Sequence, residues 1–419
     1  MKFLVLICVL CGILFISPQL RFEQFNLLDI AETTSLEYSD ILEDTMRFRP
    51  LFYIERITLN TIFPHVRFYF LFSGILSGVI LYLCVLTIRK FHSATLPVLL
   101  LLGIVYFLSP VMVDSFWRLG TAENLLTLLL VASLFLFISK HYYFSLLSIL
   151  GLLMSKETAV FFMPIYAGVY WLQKKYIFTI LILTVLAIFL PFFLSRPLEY
   201  AMSPGNYTSL FTYSPADVGR IAVGYIRAFP QLFILGGVCI LIFVKNRQQK
   251  NLLNRTLLLI MTAISFISVL FFDNIQAYYL LPFHVLISIF LVSELFILKN
   301  HLLRLILAIF IIGVVLTNVK SVGQKMYFWH VDYAVDGPLV QFLQNPPVGL
   351  FQIGEGNRED HGYALKMLLG NQVVRNYVMA DYLITKYEYI PEGFQLYRHF
   401  CADVFFEENV CRWYILEKK

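Results

Sequence analysis

Long apolar runs separated by short polar connections make up most of the first 320 residues of the chain. A helix needs roughly 20 apolar residues to cross the hydrocarbon core of a bilayer. On that measure the pattern predicts an α-helical polytopic membrane protein with about eleven spans, several of them short. They lie near residues 3–20, 66–88, 95–113, 121–138, 142–155, 159–173, 177–195, 231–245, 256–272, 280–298 and 302–318.

The pattern changes after about residue 320, where short segments show a rough alternation of apolar and polar positions. Such alternation predicts strands, here at VGLFQIGEG, ADYLITKYEYI, FQLYRHF and RWYILEKK, and DHGYALKMLLGN reads as a short helix. We therefore divide the chain into a transmembrane domain, 1–319, and a small α/β domain, 320–419. Cys401 and Cys411 lie in this second part, and the sequence leaves open whether they form a disulfide.

Two stretches between the spans are typical of helices that lie at a membrane surface. The first ends the loop of residues 21–65, in EDTMRFRPLFYIERITLNTIF. There the side chains expected to face the membrane are Ile54, Ile57, Leu59, Ile62 and Phe63, with Glu55 and Arg56 facing away. The second stretch is SPADVGRIAVGYIRAF, residues 214–229.

Composition excludes an ordinary soluble protein, because 59% of the residues are hydrophobic and only 14% are charged, against about one quarter in soluble domains. The net charge of +5 needs no nucleic-acid partner. Lys and Arg concentrate in alternate short connections, which the positive-inside rule places in the cytoplasm. The acidic connections and the C-terminal domain then lie outside. The first apolar segment could be a signal peptide, although a retained span with a cytoplasmic N-terminus is preferred.

One charged pair, Lys156 and Glu157, interrupts the apolar run of residues 142–173. Charges in hydrocarbon cost several kcal/mol and usually face a protein interior or a water-filled cavity. A helix from Lys140 to Lys156 would be roughly 22 Å long, short of the ~30 Å hydrocarbon core. If Lys140 lies at the inner surface, the pair should line the floor of a pocket that opens outward.

Three further polar clusters are expected on the same outer side. They comprise Asp114, Arg118 and Glu123; Glu43, Asp44, Arg47 and Arg49; and Asp273, Gln276, Tyr278, Tyr279 and His284. Carboxylates beside Lys and Arg suit a reaction on a phosphate-bearing substrate. A carboxylate can take a proton from an attacking hydroxyl, while cations hold the charge on a departing phosphate. The alternative is that these charges merely pair to pack the bundle.

The eight histidines show no spacing typical of a zinc site. A divalent cation, Mg²⁺ or Mn²⁺, held by Asp44 and a neighbouring carboxylate remains open.

These polar junctions, on one face of many spans with an outward C-terminal domain, resemble the polytopic GT-C glycosyltransferases. That superfamily includes protein O-mannosyltransferases and the lipid A aminoarabinose transferase. RFRPLFY, residues 47–53, is similar to the end of the first loop in many bacterial members. FWRLGTAENL, 116–125, and LLMSKETAVFFMP, 152–164, are similar to their next two junctions. The order of the motifs on a common face carries the resemblance.

The resemblance implies transfer of a sugar from a polyprenyl-phosphate donor to a glycan, lipid or protein hydroxyl on the extracytoplasmic face, with inversion. It assigns the catalytic carboxylate to Asp44, with Glu43 and Asp40 as alternatives. Donor phosphate would bind to Lys156, Arg118, Arg47 and Arg49. Substrate would be oriented by Glu157, Glu123, Asp114, Tyr279 and His284. This chain departs from the family in reading Glu-Asp at residues 43–44 and lacking an Arg before Tyr279.

Other readings stay open at this point. A transporter or lipid flippase usually shows related halves, and no internal repeat is visible here. A polysaccharide polymerase or ligase would carry a large late loop rather than a tail. A non-catalytic membrane subunit would have little use for Asp44, Lys156 and Arg118 together. The modest length favours a bacterial or archaeal cell membrane, and the sequence names neither the sugar nor the acceptor.

Overall fold

The structure is a computed structural model. It describes residues 2–27, 49–63, 65–93, 96–119, 121–202, 215–249, 251–272, 275–354, 365–366, 368–374, 379–386, 390–404 and 407–419. The fold is mostly helical, at 74% of the described residues, with a small sheet near the C-terminus. This confirms the predicted class of helical protein and the change of structure in the tail.

The helices follow the apolar runs closely. The first eight are α1 (Lys2–Ile16), α2 (Pro50–Ile62), α3 (Val66–Ile88), α4 (Leu96–Phe107), α5 (Pro110–Phe116), α6 (Glu123–Ile138), α7 (Tyr142–Ser155) and α8 (Met163–Leu172). The others are α9 (Tyr176–Met202), α10 (Pro215–Ala228), α11 (Pro230–Lys245), α12 (Leu252–Ile267), α13 (Leu281–Ile297), α14 (His301–Leu316) and α15 (Val319–Leu343).

The predicted number of about eleven spans is not confirmed. In the part of the chain that the structure describes, four helical stretches are long and apolar enough to cross a membrane, or up to six if each of two bent helix pairs is one span. Those four are Phe3–Arg21, Val66–Ile88, Ala277–Ile297 and His301–Leu343. Helices α6, α7 and α12 coincide with predicted spans but contain only 16, 14 and 16 residues. At 1.5 Å per residue, each is too short to cross the ~30 Å core by itself.

The apolar run of residues 142–173 is broken at its charged pair. Helix α7 ends at Ser155, and Lys156 adopts an extended conformation with φ −162° and ψ 144°. A 3₁₀ turn, Glu157–Phe162, follows before α8 begins. Pro164 favours this restart, because proline is tolerated in the first turn of a helix, where its missing N–H would have no intrahelical partner. The break takes the two charges out of a continuous helix.

Helix α1 packs tightly along α3 through glycines. A side chain placed on Gly78 would lie 2.5 Å from the carbonyl oxygen of Cys8. One placed on Gly12 would lie 2.2 Å from the carbonyl oxygen of Gly74. Small residues permit this close approach of two helices in a membrane. The contact makes α1 part of the helix bundle.

The predicted orientation of α2 is wrong in part. Ile54, Ile62 and Phe63 are exposed as expected, but Ile57 and Leu59 are buried. Arg56 is also buried rather than facing solvent, and its guanidinium lies 5.1 Å from the ring of Phe52. Helix α2 packs against α7. That contact decides which face of α2 is buried, and the amphipathic pattern of the sequence does not reveal it.

The C-terminal sheet contains four strands in the order β1-β2-β4-β3. They are β1 (Phe351–Ile353), β2 (Tyr382–Thr385), β3 (Phe394–Val404) and β4 (Glu407–Lys418). β1 and β2 are parallel, and the other neighbours are antiparallel. Cys401 and Cys411 face each other across β3 and β4 and form a disulfide.

Helix α15 connects this sheet to the bundle. Trp413 donates its indole N–H to Asp336 Oδ1 at 2.7 Å, and Arg412 pairs with Asp332. The backbone N–H of Leu27 donates to Asp336 Oδ2 at 3.3 Å. Asp336 therefore joins the sheet to the segment that follows α1.

A buried ion pair joins α12 to α13 at one end of the bundle. Arg255 donates to both carboxylate oxygens of Glu294, at 2.5 and 2.6 Å, and also to the carbonyl oxygen of Asn246 at 2.9 Å. Both charged side chains are at most 1% exposed. The charge pattern assigns Arg255 to one of the short connections that are rich in Lys and Arg. The structure places it inside α12 instead, where it is buried against a partner 39 residues away in the chain.

Candidate functional site

Lys156 and Glu123 form the centre of the candidate site. Helices α6 and α7 are packed together as a hairpin, so the start of α6 and the residue after α7 lie at the same end. There the ammonium of Lys156 donates to Glu123 Oε1, and each side chain is only 3% exposed. The Lys156 ammonium also lies 4.6 Å from the centre of the Tyr279 ring. A buried lysine is thus held by one carboxylate and one aromatic face.

The second charge of the pair, Glu157, binds the end of the first loop. Arg49 donates from Nε and Nη2 to the two oxygens of Glu157, both at 2.8 Å. Such a bidentate pair specifies geometry as well as charge. Because Arg49 immediately precedes α2, the pair connects the start of that helix to the break after α7. Residues 108 positions apart are therefore neighbours.

Arg118 lies between two aromatic rings. Its guanidinium carbon is 4.8 Å from the centre of the Tyr278 ring and 5.8 Å from the Trp329 ring. The rings of Tyr278 and Tyr279 are 4.5 Å apart. Since Tyr279 contacts Lys156, this tyrosine pair connects the surroundings of the two cations. The 3₁₀ turn Ala277–Leu280, just before α13, positions both rings.

Asp114 is adjacent, on α5. Its Oδ1 accepts 3.0 Å hydrogen bonds from Lys325 Nζ and from the indole N–H of Trp329. The Trp329 ring also faces Arg118. The sequence analysis missed Lys325 and Trp329, because α15 is separated from the other site residues by more than 40 positions and carries no motif. Only the packing of α15 against α5 reveals them.

The described part of the site has an excess of positive charge. Four cations, Arg49, Arg118, Lys156 and Lys325, accompany three carboxylates, Asp114, Glu123 and Glu157, so the formal charge of these seven is +1. Removal from water strengthens each interaction between charges. Such a group can hold an anion, and Arg forks and Lys ammonium groups bind phosphate as well as carboxylate.

His284 lies elsewhere. Its ring is buried, with Nε2 3.0 Å from the carbonyl oxygen of Tyr106. In the part of the chain that the structure describes, this contact gives His284 a packing partner, and a role in orienting substrate stays a prediction. The candidate carboxylates Asp40, Glu43 and Asp44 lie outside the described residues, as does Arg47. Among the described residues no three His, Cys, Asp or Glu side chains come together as metal ligands, and the cation site at Asp44 stays a prediction.

Glu55 is a buried acid that the sequence analysis assigned to the surface. Its side chain is 12% exposed, and neither carboxylate oxygen has a hydrogen-bond partner among the described residues. Arg56 Nη2 is 3.8 Å from Oε1. Burial raises the pKa of Glu55 above the ordinary value of 4.5, and Arg56 lowers it by less. The ionised carboxylate therefore opposes folding at neutral pH.

The wild type is expected to gain stability as the pH falls from 7 toward 4.5, since the folded state then binds a proton that the unfolded state binds only at lower pH. Glu55→Gln should reduce that gain, because it removes the carboxyl group that titrates. Thermal denaturation in detergent across that range, on the wild type and the variant, measures both effects. A Glu55→Gln protein whose stability depends on pH as strongly as that of the wild type would contradict this account.

The comparisons with known proteins assign no family. Neither protein-family models nor curated proteins matched the chain. The function is therefore inferred from the residues of the site.

Proposed function

We propose that this protein is a membrane glycosyltransferase that moves a sugar from a polyprenyl-phosphate donor to a hydroxyl of a glycan, lipid or protein acceptor. The observation that carries the proposal is the convergence of Arg49, Arg118 and Lys156 beside the Tyr278–Tyr279 pair. These cations come from three distant parts of an apolar chain. A soluble donor does not explain why such a cluster should lie among apolar helices, whereas a phosphate on a lipid chain does.

The chemistry assigns the described residues roles at the phosphate. The acceptor oxygen forms a bond to the anomeric carbon of the sugar, and the bond from that carbon to the phosphate oxygen breaks. The acceptor hydroxyl passes its proton to a carboxylate. Polyprenyl phosphate leaves with one more negative charge than the donor had, and Lys156 and Arg118 stabilise that charge. No strong general acid is needed, because the leaving phosphate is a weak base.

Two roles follow from the ion pairs. Glu123 holds Lys156, and Glu157 holds Arg49, so each carboxylate keeps a cation in position before substrate arrives. The proton acceptor proposed is Asp44, with Glu43 and Asp40 as alternatives, on the segment that directly precedes Arg49. Arg47 would add to the phosphate contacts. A Mg²⁺ or Mn²⁺ ion beside Asp44 belongs to the same proposal.

The compartment proposed is the extracytoplasmic face of a bacterial or archaeal cell membrane. Nucleotide sugars are confined to the cytoplasm, so a transferase on the other face requires a donor carried by a lipid. The Lys- and Arg-rich connections support that orientation through the positive-inside rule.

Binding of polyprenyl monophosphate, the product of transfer, tests the proposal without knowledge of the sugar. The purified chain in nanodiscs should bind it, and Arg118→Gln should weaken binding at least tenfold, about 1.4 kcal/mol. Arg247→Gln is a matched control, because Arg247 is exposed beyond α11. Equal binding by both variants would contradict the proposed site.

Turnover separates a transferase from a flippase. Incubation with polyprenyl-phosphate hexoses and membrane extract should release free polyprenyl phosphate and label an acceptor. Movement of the intact donor between leaflets without release would instead establish a flippase. Binding without either activity would indicate a non-catalytic subunit.

A further inference from the structure

Two cavities lie along residues 20–24, a few residues after α1 ends, and they share two lining residues. Both are lined by Glu23 and Gln24, and their volumes are about 360 and 580 Å³. The smaller lies between residues 21–24 and α15, and the larger lies between the same segment and the start of α3. We call them together the α1 groove. Its lining includes Leu20, Arg21, Arg67, Phe68, Leu71 and Tyr333.

The position of the α1 groove is that of a membrane interface. The candidate span Phe3–Arg21 ends there, and the span Val66–Ile88 begins there. One wall is apolar and belongs to the spans, with Leu20, Phe68 and Leu71. The polar side chains lie at the ends of these two spans, with Arg21 and Arg67, or just beyond them, with Glu23, Gln24 and His65. This arrangement matches a molecule with a polar head and apolar chains.

The charges of the α1 groove favour one phosphodiester. Arg67 Nη2 donates to Glu23 Oε1 at 2.6 Å, and these two charges compensate each other. Arg21 contacts Nε2 of His330, and a ring nitrogen that accepts from a guanidinium belongs to a neutral imidazole. Arg21, Arg67 and Glu23 together therefore leave one positive charge. A phosphodiester carries one negative charge, and a guanidinium binds its oxygens in pairs.

We propose that the α1 groove binds an anionic glycerophospholipid of the surrounding bilayer. The phosphodiester lies between Arg21 and Arg67, and the acyl chains follow Leu20, Phe68 and Leu71. Hydroxyl groups of the headgroup meet the side chains of Gln24 and Gln341. This inference does not depend on the proposed transferase activity.

The lipid would support the candidate site through α15. Phe22 packs on His330 and Tyr333, with ring centres 4.9 and 5.5 Å apart. Trp329, the residue before His330, contacts Asp114 and faces Arg118. A headgroup bound beside Arg21 and Phe22 thus holds α15 in position, and α15 supplies one side of the candidate functional site.

Lipid binding to the delipidated full chain tests this proposal. Native mass spectrometry should show one dioleoyl phosphatidylglycerol bound at least tenfold more tightly than dioleoyl phosphatidylcholine. The double variant Arg21→Gln/Arg67→Gln should lose that preference. Arg89→Gln, an exposed arginine at the other end of α3, should keep it. Glu23→Gln removes the carboxylate that competes for Arg67 and should strengthen binding, so the proposal can be checked even if the double variant fails to fold.

Three results would overturn the proposal that the α1 groove binds an anionic lipid. One is equal binding of the two lipids by the wild-type chain, and another is a double variant that folds and still prefers phosphatidylglycerol. The third is displacement of phosphatidylglycerol by soluble glycerol phosphate or by polyprenyl phosphate at equal concentration, which would assign the α1 groove to a free anion or to the donor.

Discussion

Lys156→Met is expected to lower turnover by about 10²–10³-fold, the usual effect of removing one group that stabilises developing charge. Lys156 is the buried cation that we assign to the leaving phosphate, and methionine keeps the length of the side chain without its charge. Release of polyprenyl phosphate from a polyprenyl-phosphate hexose in proteoliposomes measures the effect. Binding of polyprenyl monophosphate should weaken in the same variant.

The control must separate catalysis from folding, because Lys156→Met leaves Glu123 buried without its cation. The double variant Lys156→Met/Glu123→Gln removes both charges and should fold at least as well as the single variant. It should remain as inactive. Lys175→Met, at an exposed lysine after α8, should retain wild-type turnover. A folded double variant with wild-type turnover would exclude Lys156 from the reaction.

Glu294→Ala is expected to destabilise the fold by about 3–5 kcal/mol, the cost of leaving a buried charge without its partner. Glu294 is fully buried, accepts from Arg255 at 2.5 and 2.6 Å and is also within 3.4 Å of the Asn246 amide. Loss of the cooperative unfolding transition, or a large fall in its midpoint in detergent, is the expected observation.

Removal of both charges is the matched control. Arg255→Met/Glu294→Leu fills similar volume with apolar groups, and buried ion pairs can often be replaced in this way with little loss. We expect the double variant to recover most of the stability and to keep its activity, since Glu294 lies near the end of α13, whereas Tyr279, which contacts Lys156, lies just before its start. Single and double variants of equal stability would show that the pair is not the main interaction between these helices.

Local features of the chain were predictable from the sequence. The predicted span of residues 66–88 coincides with α3, Val66–Ile88. One unbroken apolar run is enough to specify this helix, whichever helices pack against it. The strands of the tail also appear where alternation predicted them. The break in the apolar run at Lys156 was predictable from charge alone, since ionised groups are costly to place in hydrocarbon.

The count of spans was not predictable in this way. Helices of 14–16 residues are too short to cross alone, and two pairs bend by 68° and 95°. A hydropathy window treats such segments as spans because it does not register the angle between helices. The burial of Glu55 and Arg255 was missed for a related reason. Both lie on faces that become internal only when another helix packs over them.

The sequence by itself determined the mostly helical fold with its candidate membrane spans and the strands of the tail, since these depend on local composition and period. Tertiary structure alone decided which partner each charged group has. Lys156 lies beside Glu123, Arg49 beside Glu157, and Arg118 beside the ring of Trp329. The residues of these three pairs are 33, 108 and more than 200 positions apart in the chain, respectively. Their charges become neighbours because buried ionised groups require partners, and the packing of short helices brings those partners within reach.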